Sequence, residues 1–92
     1  MYIEVIYAIE NKMVLEFQYF SDIRRVEPHC VGLGKDGQPL LRAFQISGQP
    51  RQWKLFRLDR ARHVQPTNDN FSGPRPEYRR NDKAMVKIIK QL

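Results

Sequence analysis

The 92-residue chain has one cysteine, two histidines and three serines, and each scarcity closes off a class of chemistry. Cys30 alone forms no internal disulfide and offers no thiol pair to zinc, which fits a reducing compartment and a small buried hydrophobe. Neither His29 nor His63 has a Cys, Asp or Glu at ligand-like spacing, and no nucleophile-plus-base set emerges. Neither a cofactor nor enzymatic activity is expected. Long apolar runs are also missing: a membrane span needs roughly 20 such residues, and the N-terminus is acidic and interrupted where a signal peptide would be apolar. A cytoplasmic protein with no membrane partner is expected.

Acids are few beside bases, 10 against 16, and the imbalance is uneven along the chain. Residues 1–22 carry a net charge of −3, residues 23–65 carry +6 and residues 66–92 carry +3. In the central segment arginines outnumber lysines and interleave with aromatics, a mix suited to phosphate contacts and base stacking. That favours an anionic partner over a merely solvated basic surface.

The length suits one compact domain that buries roughly 60–65% of its unfolded surface. Residues 2–11 place Tyr2, Val5, Ile6 and Ile9 at helical spacing, and residues 13–20 switch to period two, with Met13, Leu15, Phe17 and Tyr19 on one face. The stretch 23–33 follows, with Pro28 at a bulge, edge or irregular point, and then Lys35-Asp36-Gly37 supplies hairpin chemistry. Residues 40–47 and 53–60 read as further strands and 63–66 as a short fifth one. Five short hairpin-linked strands behind one helix bury their faces best by curling into a small barrel.

Residues 67–82 are rich in Pro, Asn, Asp, Gly and charge, and read as an extended, partly docked segment. Asn81 or Asp82 then caps an expected C-terminal helix with Met85, Ile88, Ile89 and Leu92 on one stripe. That stripe has two candidate surfaces: the chain's own barrel or a second copy in a homodimer. The expected division is a barrel with its helix over 1–66 and an appended segment with its helix over 67–92.

Gly32-Leu33-Gly34-Lys35-Asp36-Gly37 matches the G-x-G-x-x-G dinucleotide pattern literally, but a strand pattern follows it instead of a helix. No helix N-terminus is there to hold a pyrophosphate, so the glycines read as turn residues. A different puzzle is WKLFRLDR, residues 53–60, where both faces of a strand mix apolar and basic side chains. Phe56 and Leu58 fit the interior, and Lys54 and Arg60 fit the two ends of the strand. Trp53, Leu55 and Arg57 would face outward, with Trp53 either a stacking platform beside Arg57 or a packed residue.

Taken in order, Ile6-Tyr7-Ala8-Ile9, Val14-x-x-Phe17-x-Tyr19, Arg24-Arg25-Val26-Glu27-Pro28, Leu41-x-Ala43-Phe44 and Phe56-Arg57-Leu58-Asp59-Arg60 resemble the WYL domain family of bacteria and their phages. The resemblance spans about residues 3 to 75. The tripeptide that names the family falls on Pro39-Leu40-Leu41, of which only the leucine is kept, and a stand-alone domain without the helix-turn-helix that precedes most members is expected. The resemblance implies a mainly β protein, a five-stranded Sm-like or SH3-like barrel with an N-terminal helix. It also implies a sensing module for single-stranded nucleic acid or a nucleotide-like ligand, of the kind that regulates transcription, DNA-damage responses and CRISPR systems or modulates helicases and nucleases. Carried over by motif, the site residues are Tyr19, Arg24, Lys54, Arg57 and Arg60, with Trp53 added from the strand pattern. The competing class is a protein-interaction subunit that docks a larger regulator, helicase or nuclease through the barrel or the C-terminal helix.

Overall fold

A computed structural model describes residues 2–92, so the first residue of the expected 1–66 unit lies outside the described residues. Helix α1 (Tyr2–Glu10) buries Val5, Ala8 and Ile9. It ends where Asn11 donates to the Tyr7 carbonyl from both its main-chain N–H, at 3.0 Å, and its side-chain amide, at 2.9 Å. Strands β1 (Met13–Tyr19), β2 (Asp22–Leu33), β3 (Pro39–Gln45) and β4 (Gln52–Arg57) follow, then a 3-10 turn at Leu58–Arg60, β5 (Ala61–Asn70) and β6 (Lys87–Gln91). The chain is mainly β, with these antiparallel strands in one sheet that does not close.

The sheet runs β4-β3-β2-β1-β5, and β6 pairs with β2. Strand β2 is shared along its length: residues 22–26 face β1, and residues 30–33 face β6. Period-two patterning in β1 puts Leu15 and Phe17 on the inner face, where they join Val26, Val31, Leu41, Ala43, Phe56 and Leu58 beneath α1. Pro28 sits at the expected irregularity, a register shift against β3 between Pro28 and Cys30. The Lys35-Asp36-Gly37 turn forms as well, with Gly37 at φ 78° and its N–H donating to the Gly34 carbonyl.

Two expectations on the strands need revision. The fourth strand stops at Arg57, so Arg60 lies in the 3-10 turn and does not continue the alternation of Lys54 and Phe56. The fifth strand is far longer than residues 63–66 and carries the chain past residue 67. It tolerates Pro66 because it is an edge strand, where a missing N–H costs no ladder bond on the open side.

The expected C-terminal helix does not form; its residues make a turn and then β6. Asp82 does cap, but what it caps is one turn: its side chain accepts the Ala84 N–H at 3.0 Å and its carbonyl accepts the Met85 N–H at 3.1 Å. An isolated helix of this length is marginal in water, whereas β2 offers an unpaired edge and the segment is rich in the β-branched residues Val86, Ile88 and Ile89. Met85 and Ile88 pack around Cys30 and Leu40, while Ile89 and Leu92 pack on the main core. The helical stripe is thus split, with Ile88 and Ile89 on opposite faces of β6 and Met85 and Leu92 beyond its ends, all packed on the chain's own sheet.

The preceding segment 71–86 has no regular structure, yet it is pinned throughout. Phe71 stacks on His29 at 5.6 Å. Arg75 grips Glu27 with two bonds of 2.7 and 3.2 Å and lies 3.8 Å over the Phe44 ring. The Tyr78 hydroxyl donates to the His29 carbonyl, and Asp82 takes two bonds from Arg42.

Candidate nucleic-acid interface

The β1–β2 hairpin and the β4–β5 connection meet at one end of the sheet, and four of the expected site residues meet there with them. Cross-strand register pairs Phe17 with Arg24 on the inner face, so the guanidinium enters the edge of an aromatic cluster. In that cluster Phe56 lies 5.0 Å from Phe17 and 5.1 Å from Tyr19, and Arg24 stands 5.5 Å over the Tyr19 ring. Arg24 donates to Gln45 at 3.0 Å and approaches Asp22 at 3.5 Å. Its Nε is buried without a hydrogen-bond partner. A buried donor left unpaired costs about 1–3 kcal/mol, which an acceptor oxygen would relieve.

Tyr19 is held from the other side, since its hydroxyl accepts the Arg57 main-chain N–H at 3.1 Å. The Arg57 guanidinium is turned to Asp59, which takes two bonds of 2.7 and 3.2 Å. This contact holds the Asp59 carboxyl below the usual carboxylate range and the Arg57 guanidinium above its own. Asp59 in turn borders a groove of about 470 Å³ lined by Gln18, Phe20, Arg60 and Arg62. Among the described residues, the side chains of Arg60, Arg62 and Lys54 make no hydrogen bond or ion pair. Lys54 shares the inner face of β4 with Phe56.

Phe20 and Arg62 were not among the residues singled out by sequence. Phe20 stands in the two-residue turn between Tyr19 and Asp22, a position that glycine normally takes, at φ 57°. It is nevertheless 68% exposed, and its ring meets Tyr19 edge-on at 4.9 Å. A bulky residue held in the left-handed region and largely presented to solvent is strain for which the Tyr19 edge contact is a small packing return. Strand register supplies the signal for Arg62: it pairs with Gln18 across β1 and β5, beside Phe20.

Trp53 is elsewhere. It pairs with Phe44 on the outer face of β4 and packs against His29 at 4.7 Å, with Tyr78 at 6.2 Å. Its indole N–H donates to Glu77 at 3.2 Å. Cys30 is buried beside Met85, and burial pushes its thiol up to about 11. Among the described residues no group of His, Cys, Asp and Glu is placed to hold a metal ion, and no helix is long and apolar enough to cross a membrane.

Compared with models of protein families, with curated proteins and with solved structures, the chain matches none.

Proposed function

We propose that the chain is a WYL-type sensing module, a small Sm-like or SH3-like barrel that binds single-stranded nucleic acid or a nucleotide-like anion at the Tyr19–Arg62 end of its sheet. The strand order supports the barrel reading: β5 returns to pair with β1 while β4 holds the opposite edge and a single 3-10 turn joins the two. The observation that carries the binding role is the exposed, strained Phe20 beside two unpaired arginines, Arg60 and Arg62. Stacking on such a ring is worth about 1–3 kcal/mol per base and requires unpaired bases, which duplex does not offer. Arg60, Arg62 and Lys54 take phosphates, Arg24 takes an acceptor through its orphan Nε, and the Arg57 main-chain N–H holds Tyr19 in place.

Fluorescence anisotropy with short single-stranded RNA, single-stranded DNA and duplex tests this. Both single strands are expected to bind ahead of duplex, and Arg60→Ala with Arg62→Ala to weaken them at least about tenfold. Equal binding of duplex, or no loss in the double variant, would contradict the reading.

A second reading, a subunit that docks a larger regulator, helicase or nuclease, is supported by Ile3 and Tyr7. They stand one turn apart on α1 and are 80% and 52% exposed. Ile3→Lys with Tyr7→Glu would abolish such docking and leave oligonucleotide binding intact.

A further inference from the structure

On the outer face, the chain from Glu77 to Lys83 passes over β3 and β4 and encloses a second cleft, of about 630 Å³. It shares no residue with the groove at Phe20. One wall is aromatic: the rings of Trp53 and Tyr78 lie 6.2 Å apart and within 22° of parallel. Arg79, Arg80 and Lys83 surround it, and among the described residues none of the three has a hydrogen bond or ion pair. The other charges at the cleft are spoken for. Arg42 is matched by Asp82, whose carboxyl it holds below the usual range, and Glu77 accepts from the Trp53 indole.

The cleft therefore combines an aromatic wall with three unengaged cations. An acidic peptide would answer the cations and leave the rings facing water. An uncharged aromatic would do the reverse. A planar base bearing a phosphate answers both, because the base can lie along the Trp53–Tyr78 wall while the phosphate takes charge-assisted bonds from the arginines, and the volume is within the range of small-molecule sites.

We propose that this cleft is a second binding site, for a phosphorylated nucleoside, either a free nucleotide or the 5′-phosphorylated end of a single strand. Three features fit that ligand together: the Trp53–Tyr78 wall, the unpaired Arg79, Arg80 and Lys83, and a main chain tied down by Asp82 on Arg42 and by the Tyr78 hydroxyl on the His29 carbonyl. The site stands on its own residues and does not depend on the groove at Phe20.

Trp53 is the only tryptophan in the chain, so its emission reports this cleft and not the groove. Titration with adenosine 5′-monophosphate is expected to quench that emission, with adenosine alone and inorganic phosphate alone each binding at least about tenfold more weakly. Arg79→Ala with Arg80→Ala is expected to raise the nucleotide Kd at least about tenfold with an unchanged melting temperature, since neither side chain holds the fold together. Lys83→Ala is the second variant, expected to weaken binding severalfold, and the groove variant Arg60→Ala with Arg62→Ala keeps the quench. A 5′-phosphorylated thymidine tetramer compared with its unphosphorylated form separates the two sources: preference for the phosphorylated tetramer over the mononucleotide assigns the site to strand ends, and the reverse assigns it to free nucleotides. The proposal is overturned by an absence of quenching at millimolar nucleotide, by an equal Kd in the arginine and lysine variants, or by a hexaglutamate peptide that binds as well as the nucleotide.

Discussion

The main chain of Lys87 crosses Gly32 so closely that a Cβ there would lie 2.2 Å from the Lys87 carbonyl oxygen and 2.8 Å from the Met85 sulfur. Gly32 is the first glycine of the dinucleotide-like pattern, and it is neither a phosphate ligand nor a turn residue: it makes room for β6. Gly32→Ala is expected to push β6 off the edge of β2 and cost about 1–3 kcal/mol, the usual range for overpacking. Chemical denaturation measures it, and amide exchange at residues 87–91 should speed up first. An unchanged midpoint would mean that β6 is not seated as described.

His29 pins the irregular segment to the sheet and should make stability depend on pH. The Arg75 main-chain N–H donates to its Nε2 at 3.2 Å, so the ring proton sits on Nδ1, which faces the Glu27 carbonyl at 2.8 Å. Burial is the main cause that lowers its pKa, aided by the Arg75 charge and opposed by the Glu27 carbonyl and charge. Because the folded value lies below the unfolded one of about 6.5, this contribution is complete above about pH 6.5 and is lost as pH falls below it. Melts of wild type and His29→Gln between about pH 7.5 and about pH 5 should show the larger loss in wild type. Parallel losses would remove His29 from the account.

Phe20→Gly separates strain from function. Relief of the left-handed backbone is worth about 1–2 kcal/mol, and the added freedom of glycine in the unfolded chain takes back about 0.5–1 kcal/mol. Stability is expected to hold or rise by up to about 1.5 kcal/mol, while single-strand affinity falls by the about 1–3 kcal/mol of one lost stacking contact. A variant that binds as wild type does would leave the exposed ring without a purpose in binding.

Asp59 occupies Arg57 and puts a negative charge on the rim of a basic groove. Asp59→Asn is expected to tighten oligonucleotide binding about two- to fivefold by removing that charge and freeing the guanidinium. Weaker binding would mean that the Asp59–Arg57 pair is needed for the geometry of Tyr19.

The helix at residues 2–10, the alternation of β1, the irregularity at Pro28 and the turn at Gly37 were all legible because each rests on local chemistry. The C-terminal strand was not. Met85, Ile88, Ile89 and Leu92 satisfy helical spacing as a pattern, and only the free edge of β2 and the missing Cβ of Gly32, both distant in sequence, turn the segment into a strand. Tyr19, Arg24, Arg57 and Arg60 were readable from their motifs, and they come together. Phe20 was hidden because its importance lies in a backbone angle, and Arg62 because it depends on the register of β5. Trp53 drew attention for its composition alone, and its setting depends on residues 75–78 folding back over β4.

Salt dependence of single-strand binding tests the central claim most directly. If Arg24, Lys54, Arg60 and Arg62 each neutralise a phosphate, log K should fall with log salt at a slope of about −3, and Arg60→Ala with Arg62→Ala should bring it to about −1.4. A slope near zero in wild type, or the same slope in the variant, would contradict a phosphate-binding face at this end of the sheet.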